Sequence, residues 1–255
     1  MNIGAHVGAA DPLDAAAVRS ADLVQIFLSN PQSYKAPLAR ADSAELIASE
    51  VEVYVHAPYI MNPASPNNRI RIPSRKTIAQ TMDAAAGIGA RGVIVHGGHV
   101  GDDEDLAVGI ERWRKVFEYA DGGWEVPLLI ENTAGGGNAV VRELANYGPL
   151  WEAIGGSNVG VVLDTCHAWA AGEDLAAAVD LVTGVTGGVD LVHCNNSRDP
   201  HGSHRDRHAN LESGEIPRDL LADLVRAADA PVVVETPDED GSAHAADIAW
   251  LRANV

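Results

Sequence analysis

Along the chain, short runs of β-branched and aliphatic residues alternate with Ala-rich stretches whose apolar positions recur at helical spacing. The runs predict strands near Ile3–His6, Leu23–Leu28, Val51–His56, Gly92–His96, Pro127–Glu131, Gly160–Asp164, Leu191–Cys194 and Val232–Glu235. Helices are expected between them, near residues 12–20, 42–49, 74–89, 103–120, 138–153, 173–185 and 217–228, with a last one near 243–253. Asp11-Pro12 reads as an N-cap followed by the first helical residue, and Ser74 as the start of the third helix. Strict alternation implies a parallel sheet with crossover helices, and eight such units imply an α/β fold, one closed TIM (β/α)8 barrel over residues 1–255. Functional residues of such a barrel belong at the C-terminal ends of its strands.

The polar residues that close these runs change the picture. His56 ends the run in VYVHAPY, His96 in VIVHGGH, Glu131 in PLLIENT, His193 in LVHCNNS and Glu235 in VVVETP; Asp164 and His167 lie in VVLDTCH, Asp206 and His208 in DRH. Side chains alternate faces along a strand, so a residue at its end points into the barrel mouth while its apolar predecessors pack. Asp206 and His208, separated by one residue, share a face in an extended stretch and could chelate one ion; Asp164 and His167, three apart, suit different ions. Singly, each has a bland reading: His56 as a hydrogen-bonded loop residue, Glu131 or Glu235 as a helix cap. Nine together at consecutive strand ends read as a metal site. Imidazole nitrogen mixed with carboxylate oxygen, without a required thiolate, suits zinc, manganese or iron better than magnesium or calcium. Cys166 and Cys194 read as small buried hydrophobes, too few for a disulfide framework. His6 closes the first strand and reads as pocket floor, whereas His99, His201, His204 and His244 read as surface or supporting residues.

Composition adds a soluble, globular balance, with 46% hydrophobic and 21% charged residues leaving little room for a disordered tail. No apolar run approaches the roughly 20 residues that span a bilayer, and Met1-Asn2-Ile3-Gly4 lacks a basic segment followed by an apolar one. A cytoplasmic monomer is the expectation. The formal charge of −18 argues globally against a polyanionic partner. Exposed charges beyond a Debye length of about 8 Å are screened, however, so the local field decides. Three divalent cations would outweigh Glu131, Asp164, Asp206 and Glu235, and Arg69, Arg71, Arg75, Arg198, Arg205 and Arg207 would add to the attraction for phosphate.

The segments His56-Ala57-Pro58-Tyr59-Ile60-Met61-Asn62, Glu131-Asn132-Thr133-Ala134-Gly135, Val162-Leu163-Asp164-Thr165-Cys166-His167 and Gly202-Ser203-His204-Arg205-Asp206-Arg207-His208 resemble signature segments of the endonuclease IV family of apurinic/apyrimidinic endonucleases. The likeness runs from Gly4-Ala5-His6-Val7 to Val234-Glu235-Thr236. It implies a TIM barrel with three zinc ions: one held by His56, His96 and Glu131; a second by Glu131, Asp164, His193 and Glu235; a third by His167, Asp206 and His208. The implied reaction is hydrolysis, in duplex DNA, of the phosphodiester 5′ to an abasic site, leaving a 3′-hydroxyl and needing no side-chain nucleophile. Glu131, Glu235 and Asp206 are the implied catalytic residues, with Glu235 orienting the attacking water or accepting its proton, and Asn30, Gln32 and Tyr59 the implied DNA contacts.

Three positions depart from the family pattern. Asn196 stands where a carboxylate usually follows the Asn of the His193-Cys194-Asn195 segment, Pro63 replaces a small or aliphatic residue, and Gln32 replaces an Arg found in some members. Asn196 is expected to weaken a hydrogen bond that orients His193, so that Asn196→Asp would raise metal retention or rate. Pro63 is expected to alter a loop lying against DNA, and Gln32 to weaken the grip on the duplex. A single-metal sugar isomerase or epimerase is the rival reading, since Glu131, Asp164, His193 and Glu235 alone would serve it; His56, His96, His167, Asp206 and His208 would then have no task. A DNA-binding protein that has lost catalysis through Asn196 and Pro63 is a third, opposed by the intact ligand pattern.

Overall fold

A computed structural model describes residues 1–120, 123–135 and 137–255. Among them the eight apolar runs are strands, each within one residue of the expected bounds: β1 (Ile3–His6), β2 (Leu23–Phe27), β3 (Glu52–His56), β4 (Val93–His96), β5 (Leu128–Glu131), β6 (Val159–Asp164), β7 (Leu191–His193) and β8 (Val232–Val234). Each pairs in parallel with its sequence neighbour, and β8 pairs with β1 to close a barrel. The helices are α1 (Pro12–Arg19), α2 (Ser43–Ala48), α3 (Asn68–Ala86), α4 (Leu106–Tyr119), α5 (Tyr147–Ile154), α6 (Thr165–Ala171), α7 (Leu175–Thr186), α8 (Arg218–Ala228) and α9 (Ser242–Asn254). This is the TIM barrel expected from the alternation. No helix among the described residues is long and apolar enough to cross a membrane.

Period two organises the barrel interior. Leu23, Tyr54, Ile94, Leu129, Val162, Leu191 and Val233, from seven strands, form a buried apolar cluster of their own. The intervening residues, such as Val24, Val55, Val93, Ile130 and Leu163, face outward and pack with Ile78, Met82, Trp113 and Leu224 of the helices. Two residues beyond each inward apolar position the same face is polar: Gln25, His56, His96, Glu131, Asp164, His193 and Glu235. On β1 the register gives Gly4 and then His6.

Three helix expectations need correction. Helix α3 begins at Asn68, capped by Asn67, whose side chain accepts from Arg69 N at 2.9 Å. Pro73 therefore lies inside the helix, and Ser74 is buried and bonds Ile70 O at 2.8 Å instead of capping. Pro73 is the sixth residue of the helix, past the four whose N–H groups have no intrahelical partner, so it removes one bond, to Arg69 O, and the burial of the helix against the barrel has to offset that loss. Residues 138–153 are not one helix: Asn138–Ala139 pairs antiparallel with His99–Val100, a 3-10 turn covers Leu144–Asn146, and α5 follows. Helix α6 was not anticipated; Asp164, ending β6, caps it at once by accepting from His167 N at 2.6 Å.

Gly4 has a steric task, because a Cβ there would lie 1.8 Å from the Leu23 carbonyl oxygen across the β1–β2 pair. Gly4→Ala should therefore lower stability by about 1–3 kcal/mol, read as a fall in the urea midpoint. An unchanged midpoint would mean that the two strands part at no cost.

Candidate metal centre

Strand register brings the polar layer together. His96 lies beside Glu131 and Asp164 beside His193 as cross-strand partners at the C-terminal rim. Glu131 sits at the middle with no exposed surface. Its Oε2 is 3.3 Å from His56 Nε2 and 3.2 Å from His96 Nε2, while its Oε1 is 3.0 Å from His193 Nδ1 and 3.2 Å from His167 Nδ1. One carboxylate thus faces two groups of donors with different oxygens.

Asp206 divides its oxygens in the same way, Oδ2 at 3.2 Å from His167 Nε2 and Oδ1 at 3.1 Å from His208 Nε2. The pair reaches the mouth because His208–Ala209 forms a two-residue antiparallel ribbon with Asn196–Ser197. Asp199 secures the same loop through Arg207, whose Nε donates to Oδ2 at 2.7 Å.

Donor atoms close enough to share an ion fall into the groups His56/His96/Glu131, Glu131/Asp164/His193/Glu235 and His167/Asp206/His208, with an overlapping Asp164/Cys166/His208 set. All nine residues singled out from the sequence therefore lie in these groups. The donor set fits divalent cations on one further observation. His167 Nε2 and His208 Nε2 are buried without a hydrogen-bond partner, although each lies within 3.2 Å of an Asp206 oxygen. Buried imidazole nitrogens left unpaired are costly, and a cation between them and the carboxylate would satisfy both.

The backs of the rings are anchored. His56 Nδ1 lies 2.7 Å from Ala57 O, His167 Nδ1 2.9 Å from Asn132 O, and His208 Nδ1 3.3 Å from Glu235 O. Carbonyls accept only, so these contacts place the proton on Nδ1 and turn Nε2 to the mouth. Asn195 donates to Asp164 Oδ2 at 2.7 Å and accepts from Glu235 N at 2.7 Å. Asn132 and Asp164 exchange hydrogen bonds across β5 and β6. Neither asparagine was singled out, nor was Gln25, which touches His193, Glu235 and His6. The signal for Gln25 was present as one polar residue within the apolar run LVQIF.

Electrostatics couple the cluster to protons. Burial disfavours a charged His193, yet the Glu235 and Glu131 carboxylates push it up to about 9. His208, opposed by the same desolvation, is pushed up to about 9 by Asp206 and Asp164. Against its own burial, Glu235 is drawn down to about 2, chiefly by His193. Without metal, the site holds imidazolium beside carboxylate, and cations must displace those protons.

Tyr59, half exposed, stands over the centre with its ring edge-on to Phe27 at 5.2 Å. It lines both a cavity of about 470 Å³ that includes His6, Phe27 and Glu235 and one of about 280 Å³ toward Met61, His99 and Thr133. His6 lines the first, as its strand-end position suggested. Asn30 and Gln32 are exposed on the loop after β2, where Gln32 N bonds Asn30 Oδ1 at 2.8 Å. That loop is tied to the Tyr59 segment by Tyr34 Oη donating to Ile60 O at 2.9 Å. Pro63 is buried close to Gly98.

The expectation for Asn196 fails, and that for the arginines loses Arg75. Asn196 does not approach His193: its Nδ2 donates to Leu211 O and Ile216 O, both at 3.0 Å, and its Oδ1 accepts from Ile216 N and Ser197 N, both at 2.8 Å. Of the six arginines, Arg75 lies over the Tyr119 ring and bonds Lys115 O on α4, away from the mouth, and Arg71 bonds Ser65 O. Arg205 and Arg207 pair with Asp199.

The chain matches the model of the xylose isomerase-like TIM barrel family over residues 13–254, which sets its class. A relative named "Probable endonuclease 4" from Mycobacterium ulcerans is 56% identical over 255 residues, all of this chain and 99% of that one. Its namesake from Mycobacterium tuberculosis is 56% identical over 252 residues, 99% of this chain and 98% of that one. The chain belongs to the endonuclease IV family. The crystal structure of endonuclease IV from Thermus thermophilus superposes with a TM-score of 0.86 at 28% identity, covering 99% of this chain and 98% of that one.

Asn196→Asp should lower stability by about 1–3 kcal/mol in urea denaturation, because it sets a carboxylate against two carbonyls that now receive N–H groups. Metal retention should not improve; a gain would restore the expectation from sequence. The pH response of chelator-treated protein has a defined sign. His193 and His208 are raised from 6.5 to about 9, so their contribution to stability is full below pH 6.5 and is lost as pH rises through 9. Glu235 is lowered from 4.5 to about 2, so its contribution is full above pH 4.5 and is lost as pH falls through 2. Tm of the metal-free protein should peak between these limits and fall toward pH 9, whereas metal-loaded protein should hold its Tm across the alkaline range. Parallel Tm curves for the two forms would contradict this assignment.

Proposed function

We propose that the chain is a metal-dependent phosphodiesterase that hydrolyses duplex DNA on the 5′ side of abasic sites, leaving a 3′-hydroxyl. It would act as one catalytic domain over residues 1–255, a cytoplasmic monomer holding three divalent ions, zinc first, with manganese or iron as alternatives. The observation that carries the reading is the surplus of donors. Glu131, Asp164, His193 and Glu235 would suffice for a single-metal sugar isomerase, but His56, His96, His167, Asp206 and His208 adjoin them in two further groups. A crystal structure of a D-tagatose 3-epimerase-like protein is alike at 19% identity and a TM-score of 0.77, a likeness of fold alone.

When bound, the ions would supply Lewis acidity toward the phosphate, lower the pKa of the attacking water and neutralise charge on the leaving oxygen. The chain's residues do the rest. Glu131 and Asp206, each with its two oxygens turned to different imidazoles, set the spacing of the groups. Glu235 is the one carboxylate of its quartet with exposed side chain, at 16% against none for Glu131 and Asp164, so it alone meets the cavity. Its exposed side chain beside His193 suits it to orienting the attacking water. Tyr59, with Asn30 and Gln32 on the adjoining loop, is exposed beside the mouth and suited to meeting the duplex.

A duplex carrying a single tetrahydrofuran abasic analogue tests this reading, because the analogue cannot undergo β-elimination and a nick reports hydrolysis. Native protein should nick it. Asp206→Ala or His208→Ala should each remove about one metal per chain and slow single-turnover cleavage on the order of 10³-fold while damaged DNA still binds. Full metal content and parental cleavage in both variants would overturn the trinuclear reading. One metal per chain with sugar turnover would favour the isomerase.

A further inference from the structure

His193 is oriented opposite to the other anchored histidines. His56, His167 and His208 turn Nδ1 to a main-chain carbonyl and present Nε2 to the mouth. In His193 it is Nδ1 that faces the carboxylates, 3.0 Å from Glu131 and 3.2 Å from Glu235, while Nε2 points away from them, 2.8 Å from Gln25 Oε1. The group behind this ring is a side-chain amide, which could be turned either way.

Its orientation is decided by a second contact. Gln25 Nε2 lies 2.6 Å from Glu235 Oε1, and a carboxylate oxygen at that distance requires an N–H donor; the flipped amide would set oxygen against oxygen. The other amide hydrogen points to His6 Nδ1 at 2.8 Å. Both amide hydrogens are therefore engaged, and Oε1 is left to accept from His193 Nε2. Gln25 is wholly buried on β2, which contributes none of the nine candidate ligands, so its polarity serves no solvent-facing purpose.

We propose that Gln25 is a positioning residue that fixes the tautomer of His193, holding the proton on Nε2 so that Nδ1 is free for a cation, and that restrains Glu235 with the same amide. The proposal rests on the ligand set given above, and its action is through His193 and Glu235. A leucine at position 25 removes both contacts, whereas a glutamate keeps an acceptor for His193 Nε2–H but opposes Glu235, so the two variants separate the two restraints.

The test uses zinc-loaded protein labelled with 15N-histidine, with His193→Ala assigning the signal. Native protein should show a His193 proton on Nε2 protected from exchange. Gln25→Leu should lose that protection and bind one zinc per chain about 10–100-fold more weakly, the others being retained, as expected when a ligand's outer hydrogen bond is lost. Gln25→Glu should keep the protected Nε2–H. Native protection and native zinc affinity in Gln25→Leu would overturn the proposal, as would a native His193 carrying its proton on Nδ1. These signals do not depend on nuclease activity, so failure of the abasic-site reading would leave them standing, and their failure would leave that reading intact.

Discussion

The mouth of this barrel depends on the burial of the Glu131 carboxylate among four imidazoles. No part of Glu131 is exposed, and His56, His96, His167 and His193 all lie within 3.3 Å of its oxygens. A lone buried carboxylate costs several kcal/mol, and Asp164 is equally buried nearby, so the arrangement is tolerable only with compensating positive charge. Protons on the imidazoles provide it in one state and cations in the other. In the metal-free state the closeness of carboxylate to imidazole raises His193 and His208 and lowers Glu235.

The barrel meets that requirement through period two. An apolar ring seals the interior, and the next inward residues form the polar layer, so one register error in any strand would turn a donor outward. The third group cannot come from strand ends alone. It uses α6, capped by Asp164 to bring His167 into line, and the ribbon that returns Asp206 and His208 to the mouth. Asn132 and Asn195, bonded to both Asp164 and its neighbours, lock the adjoining strands.

The strands were legible because apolar runs of strand length ending in a polar residue carry two signals at once. Helix starts were less so. Ser74 reads as a start, but the Asn67 cap, seven residues earlier, overrides it. The stretch 138–153 has helical composition, yet its first residues are taken by pairing with His99–Val100, a long-range contact that no local window contains. The nine donors were legible for the same reason as the strands. Supporting residues were not: Asn196 follows His193 by three residues, but the ribbon turns it toward Leu211 and Ile216, whereas Gln25 is 168 residues from His193 in sequence and touches it. Nearness along the chain misled in one case and gave no hint in the other, while counting inward positions on every strand would have reached Gln25 without any contact information.

Anomalous diffraction from crystals of the native protein, recorded on either side of the absorption edge of the metal found in it, tests the central claim most directly. The account predicts three peaks at the barrel mouth, one each among His56/His96/Glu131, Glu131/Asp164/His193/Glu235 and His167/Asp206/His208. A single peak in the quartet, with His167 and His208 still unpaired at full metal saturation, would contradict it.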